Sequence, residues 1–320
     1  MRYRANRVRL QKLDETPATL LRLSKRNPTE LTSDEWLQTF ADAQGTRDKI
    51  SFSEMTATVS LPVRCPIGVV FSSDWHFGSP AMNVQAFRND LEKVKSDARL
   101  YVCVGGDRMD NFQQSFKDAS AAVNQLTPPQ MQRLAVEAVL KSIADKVVAL
   151  IGGNHEAMSV KKTGEDGDYW ILRDMPFSYF PFGGLLKLTI GEMTYKVLWK
   201  HNYRFNSSLN QFNSHHRMQE ILCPDSDINV QEHTHSPGIE VIEAGEFDQR
   251  RTVVNIRTGT YKGADAFSMN YFKAGRLGAQ VVVLWPDHKR ITVFHGEHAI
   301  TDARAFLDGM EAQHGDKTQG

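Results

Sequence analysis

The sequence predicts an α/β fold in which two β-sheets pack face to face as a sandwich, with helices outside. Two observations carry this reading. The first half alternates short apolar runs with helical patterns, and the second half is rich in strand patterns separated by turns. A third observation marks one end of the molecule: Asp, His and Asn residues recur just after the apolar runs.

Residues 1–60 read as a basic extension carrying a short helix, 61–310 as the body, and 311–320 as a polar tail. Over residues 2–26 of the extension, Arg2, Arg4, Arg7, Arg9, Lys12, Arg22, Lys25 and Arg26 stand against only Asp14 and Glu15. No apolar segment follows, so this is not a secretory signal. Thr32-Ser33-Asp34-Glu35 precedes Trp36, Leu37 and Phe40, the pattern of a capping box, and predicts a helix near Ser33–Ala43.

In the body, Ile67–Phe71, Leu100–Val104 and Val147–Ile151 are short apolar runs that read as buried strands. Val84–Ser96 has helical spacing. Thr127-Pro128-Pro129 reads as a helix start with Thr127 as cap, followed by Met131, Leu134, Ala138 and Val139 at helical intervals. Strand, helix, strand, helix, strand favours parallel pairing with right-handed crossovers. Leu185–Ile190 and Met193–Trp199, split by Gly191-Glu192, form a hairpin pattern. Asp227–Gln231, Ile239–Ile242, Thr252–Ile256, Gln280–Trp285 and Lys289–Phe294 are further strands. A helix bearing Phe212, His215, His216 and Met218 interrupts them, and another lies near Thr301–Met310.

Composition narrows the class. Hydrophobic residues make up 41% and charged residues 24% of 320, with a formal net charge of zero. Any anion-binding surface must therefore be local. No run approaches the roughly 18 apolar residues of a membrane span. Cys65, Cys103 and Cys223 are far apart and odd in number, which reads as a reducing, cytoplasmic setting.

Five motifs follow in order: Asp74-Trp75-His76, Gly106-Asp107-Arg108-Met109-Asp110, Gly153-Asn154-His155-Glu156, His201 and Glu232-His233-Thr234-His235. Ligand sites in open α/β sheets form beyond the carboxyl ends of strands, so these segments can converge. Oxygen and imidazole groups without cysteine suit Mn, Fe, Zn or Mg in a reactive site rather than structural zinc. Two such ions can neutralise a phosphate ester and lower the pKa of a bound water.

This series resembles the calcineurin-like metallophosphoesterases, whose motifs are Asp-x-His, Gly-Asp-x-x-Asp, Gly-Asn-His-Glu, a lone His and Gly-His-x-His. The resemblance implies an αββα fold and a centre of two divalent metals. By it, Asp74, His76 and His235 hold one metal, Asp107 bridges, and Asn154, His201 and His233 hold the other. His155 is then the catalytic residue that contacts phosphate and protonates the leaving oxygen, and Asp110 orients it. The Arg257–Gly278 segment resembles phage or prophage members.

Two positions depart from the pattern. Glu232 stands where the family has Gly, and must point away from the metals or add a carboxylate to them. Asn111 stands where many phosphatase members carry an arginine that binds the phosphate, which fits a phosphodiesterase or nuclease at least as well. Arg108, Lys200, Arg204 and Lys262 are candidate phosphate contacts or solvated surface charges. His215 and His216 read as surface helix residues or as the edge of the cleft. The closely spaced glycines at Gly259–Gly263 and Gly275–Gly278 read as turns of a flap. Three functions remain: hydrolysis of phosphodiesters such as DNA or RNA, hydrolysis of phosphomonoesters, and non-catalytic binding on the same fold.

Overall fold

Strands covered on both faces need apolar side chains on both, and three segments meet that demand: Ile67–Ser72 (β2), Leu100–Val104 (β3) and Val147–Ile151 (β4) are buried along nearly their whole length. A computed structural model of the chain describes residues 32–53, 55–112, 124–164, 166–172, 175–207, 209–245, 250–263 and 277–315. The basic segment before residue 32 and most of the Arg257–Gly278 segment lie outside the described residues, as do 316–320 of the tail.

Before β2 come the helix Ser33–Ser53 (α1) and the strand Thr56–Leu61 (β1). The predicted capping box forms: Thr32 N–H donates to Glu35 Oε2 at 2.9 Å, and Glu35 N–H to Thr32 Oγ1 at 3.3 Å. The helix runs ten residues past its expected end because Gln44–Ser53 holds no proline and a single glycine to stop propagation. β1 alternates exposed Thr and Ser with buried Ala57, Val59 and Leu61.

Between the first strands lie the helices Val84–Ser96 (α2) and Pro129–Ser142 (α3). Pro128, not Thr127, occupies the cap of α3, and Pro129 takes the first turn where no donor is required. After β4 come Asn154–Thr163 (α4), Gly167–Leu172 (α5) and the short strand Ser178–Phe180 (β5). The hairpin Gly184–Ile190 (β6) and Met193–Lys200 (β7) follows, then Asn213–Leu222 (α6). Ile228–Gln231 (β8), Gly238–Ala244 (β9), Arg251–Arg257 (β10), Gln280–Leu284 (β11), Ile291–Phe294 (β12) and Ala299–Gly315 (α7) complete the order.

The strands form two mixed six-stranded sheets, β1-β6-β7-β8-β10-β9 and β12-β11-β2-β3-β4-β5. β2, β3, β4 and β5 run parallel in sequence order, so the ends of β2, β3 and β4 share one edge of the molecule. Between the sheets lies one apolar core, including Phe71, Val69, Leu186, Val197 and Trp199. A second core, including Val104, Val136, Leu140 and Leu307, joins the other face of the β2 sheet to its helices. Among the described residues, no helix is long and apolar enough to cross a membrane.

The outer face of the β7-β8-β10 region is covered differently. Under α6 lie Leu198, Met218 and Cys223 beside a polar chain, in which Asn229 donates to Asn255 at 2.9 Å and Asn255 to Glu240 at 2.8 Å. His215 is buried there, its Nε2 2.9 Å from Ile256 O and its Nδ1 without a hydrogen-bond partner among the described residues, whereas His216 pairs with Glu240 at 2.9 Å. The expectation of two surface histidines therefore fails for His215, because it faces the sheet.

Burial pulls the His215 imidazole down to about 4, against the opposing pull of its bond to Ile256 O. An unfolded chain takes up that proton at about pH 6.5. The stability contributed by neutral His215 is thus intact above about pH 6.5 and is lost as pH falls toward 4. His215→Gln keeps a donor for Ile256 and should flatten this loss by up to about 3 kcal/mol, read by urea denaturation of both proteins between pH 7 and 4.

Candidate metal centre

Beyond the shared edge, the loops after β2 and β3 are zipped together by their main chains. Asp74 N–H donates to Gly106 O at 2.9 Å, His76 N–H to Asp107 O at 3.0 Å, and Phe77 N–H to Arg108 O at 2.9 Å. The turns are tight: Asp74, His76, Asp107, His233 and His235 all have left-handed φ, between 52° and 71°. That region is uncommon outside glycine and least unfavourable for Asp, Asn and His. Five of the seven expected ligands therefore sit in backbone that only surrounding structure can hold.

At Asp107 the holding group is Glu156, in the first turn of α4. Its buried carboxylate accepts from Gly153 N–H at 3.0 Å, Asp107 N–H at 2.8 Å, Arg108 N–H at 2.8 Å and Met109 N–H at 3.3 Å. This ties the Gly-Asp-x-x-Asp loop to the Gly-Asn-His-Glu helix start. Arg108 is a structural cation, neither a phosphate contact nor a surface charge. It is fully buried, donates to Gly105 O and Ile151 O, and meets Asp168 at 2.5 Å.

The expected ligands converge in two groups. In one, His235 Nε2 lies 3.0 Å from Asp74 Oδ1 and 3.2 Å from His76 Nε2. In the other, His201 Nε2 lies 2.9 Å from Asn154 Oδ1 and 3.1 Å from Asp107 Oδ2, with His233 Nδ1 3.9 Å from that same oxygen. Asp74, His76 and His235 can hold a metal ion by this spacing, as can Asp107, His201 and His233.

The donor chemistry fits cations. His76 Nδ1 meets Asp110 Oδ1 at 2.9 Å, and burial pulls its imidazole down to about 4, with Asp110 opposing. At neutral pH its Nε2 is a lone pair aimed at the Nε2 of His235 and at Asp74. Burial works against the charge on Asp107, yet His201 and His155 hold its carboxyl well below the usual range. Burial also opposes a charged His201, but Asp107 and Glu232 raise its pKa well above the ordinary imidazole value. Buried carboxylates and lone pairs at this density are balanced by positive charge.

His155 lies at the rim, with Nδ1 2.5 Å from Asp110 O and Nε2 3.8 Å from Asp107 Oδ2. The expected His155–Asp110 contact thus runs through the main-chain carbonyl. The Asp110 carboxylate serves His76 instead, and takes Lys262 Nζ at 3.1 Å. Burial opposes ionised Asp110, but His76 and Lys262 keep its pKa below the ordinary value. Asn111 is buried and donates to His155 O at 2.6 Å and Ser159 Oγ at 3.0 Å. Lys200 caps Phe182 O at 2.9 Å, and Arg204 lies over the ring of Phe205.

Glu232 turns inward without reaching the open side of the centre. Its Oε2 accepts from Gly106 N–H at 2.8 Å and meets His201 Nδ1 at 2.8 Å, and its Oε1 accepts from Trp199 Nε1 at 2.7 Å. Gly105 leaves room for it: a Cβ there would stand 2.1 Å from Glu232 Oε1. Sequence reasoning gave Glu156 no role. Its signal was a Glu three residues after Gly153 at a helix start, the spacing at which a side chain reaches back to free amides.

Glu156→Ala should strand the main-chain donors that Glu156 holds and cost at least about 3 kcal/mol by urea denaturation, since each hydrogen bond to a charged group contributes about 1.5–3 kcal/mol.

Comparison with known proteins follows the same lines. No curated protein sequence matches the chain. Among solved structures, a conserved uncharacterised protein of Streptococcus pneumoniae TIGR4, described as a predicted phosphoesterase, is 10% identical; the match covers 74% of this chain and 93% of that one, with a TM-score of 0.37. A Vps29 double mutant from Entamoeba histolytica is 14% identical, with coverage of 72% and 100% and a TM-score of 0.36. The sequence profile of the calcineurin-like phosphoesterases matches residues 67–283, which span every motif above. The chain therefore belongs to the calcineurin-like phosphoesterases, metal-dependent hydrolases of phosphate esters.

Proposed function

We propose that this protein hydrolyses phosphodiesters, DNA or RNA among them, with manganese as the working metal. Asp74, His76 and His235 would hold one ion, Asn154, His201 and His233 the other, and Asp107 both. When bound, such a pair would supply positive charge to the ester and lower the pKa of a water molecule, the source of the nucleophile.

The protein's own groups supply the rest. Asp110 O accepts from His155 Nδ1 at 2.5 Å, which leaves Nε2 facing the centre. His155 is proposed to contact the phosphate and return a proton to the leaving oxygen, a step worth about 10²–10⁴-fold in rate. Asp110 acts as a positioning residue twice, with its carbonyl on His155 and its carboxylate on His76. Phe112 packs edge-on against the His155 ring, 5.0 Å between centroids, and limits its swing.

The observation that carries the diester reading is Asn111. A monoester dianion has one more negative charge to bind than a diester. At the position where phosphatase members place an arginine, this chain has a neutral amide already committed to His155 O and Ser159 Oγ. The basic stretch from Arg2 to Arg26 supports a nucleic-acid substrate, because Lys and Arg neutralise backbone phosphates without reading sequence. A reducing, cytoplasmic setting belongs to the same proposal and is supported by three cysteines that form no disulfide.

With Mn²⁺, purified protein should cleave bis(p-nitrophenyl) phosphate faster than p-nitrophenyl phosphate, and single- or double-stranded DNA or RNA in a substrate panel. Chelation should abolish activity and Mn²⁺ restore it. His155→Ala should lower kcat by about 10²–10⁴-fold, and Asp107→Asn should lose both metal and activity. Preference for the monoester with no action on nucleic acid would replace this reading by a phosphomonoesterase. Retention of less than one ion under Mn²⁺-replete conditions would leave a binding module.

A further inference from the structure

Glu232 is the residue at which this chain departs from the motif pattern, and its environment is too specific for an accident of substitution. Three donors from two segments converge on it: Gly106 N–H after β3, and Trp199 Nε1–H and His201 Nδ1 at the end of β7. Asp74, His201 and Glu232 present ligand-type atoms within 4.8 Å of one another. Both Glu232 oxygens are nevertheless engaged by those three donors, which turns the carboxylate toward the protein groups behind the centre.

We propose that Glu232 is a positioning residue that completes the half of the centre containing His201. A carboxylate only accepts hydrogen bonds, so a partner ring nitrogen at 2.8 Å must carry the proton. His201 would thereby keep a proton on Nδ1 when a metal ion displaces the one on Nε2, which is turned to Asn154 Oδ1 and Asp107 Oδ2 at 2.9 and 3.1 Å. The other half repeats the arrangement, with the Asp110 carboxylate 2.9 Å from His76 Nδ1 and His76 Nε2 facing His235. Carboxylates behind ligand imidazoles fix ring orientation and raise basicity, and their loss costs about 10–100-fold in metal affinity. An amide in place of Glu232 can donate as well as accept. It would meet a donor at Trp199 or Gly106, and would allow His201 to reverse its tautomer.

This inference rests on His201 being a metal ligand, and the test separates the two. The full chain, stripped with a chelator, is titrated with Mn²⁺ by calorimetry, and retained Mn is counted by elemental analysis. Wild type should bind two ions. Glu232→Gln, folded by circular dichroism, should keep one at wild-type affinity and bind the other about 10–100-fold more weakly; His201→Ala should lose that ion. In Zn²⁺-loaded protein with ¹⁵N-labelled histidine, wild type should show a slowly exchanging proton on His201 Nδ1, and Glu232→Gln should lose it. A merely structural Glu232 would leave that signal in place. If Glu232→Gln does not fold, Glu232→Asp, one methylene too short to serve all three donors, should weaken the same ion. Two ions at wild-type affinity in the Glu232 variant, with one lost in His201→Ala, would overturn the role of Glu232 alone. Two ions in His201→Ala would remove His201 as a ligand and the inference with it.

Discussion

Among the described residues, six carboxylates are buried in the loops at one end of the sheets: Asp74, Asp107, Asp110, Glu156, Asp168 and Glu232. Taking a charge out of water costs several kcal/mol unless donors or opposite charges replace the solvent. The loops at this end of the sheets can be read as the solution to that constraint. Glu156 is surrounded by main-chain amides and Asp168 is paired with buried Arg108. Asp110 has His76 and Lys262, and Glu232 has an indole, an amide and an imidazole. Asp74 and Asp107 each give one oxygen to hydroxyl or main-chain donors and turn the other to imidazoles, which is why this pair is the natural place for added positive charge.

The partners also set the division of labour. Carboxylates with both oxygens filled by protein donors shape the loops, and Asp74 and Asp107 each keep one oxygen facing the imidazoles of the candidate centre. Asp110 shows how fine the distinction is. One residue offers a carbonyl to His155 and a carboxylate to His76 and Lys262, so it joins the rim of the centre to one of its halves.

Much of the architecture was legible in the sequence. β2, β3 and β4 are covered on both faces, so they appear as unbroken apolar runs, and the motifs mark where they end. β1 was not legible, because an edge strand of alternating Thr, Ser and small apolar residues carries little hydrophobic signal. The converging residues of the centre could be named from motif order. Their supports could not. The donors to Glu232 come from positions 106, 199 and 201, and no local pattern links them. Arg108 reads as a surface charge until its burial against Asp168, 60 residues away, is seen. Whether Asp110 uses its carbonyl or its carboxylate depends on a side-chain rotamer, which spacing does not encode.

The left-handed backbone at Asp74, His76, Asp107, His233 and His235 has an evolutionary consequence. Strain of this kind costs on the order of 1–3 kcal/mol at a non-glycine residue, and glycine relieves it. At these five positions, selection for persistence of the fold and selection for the proposed metal chemistry therefore pull in opposite directions. A duplicate copy of this gene released from catalytic duty would be expected to drift toward glycine there first. It would gain robustness as it lost its centre, and the sheets behind it would record no change.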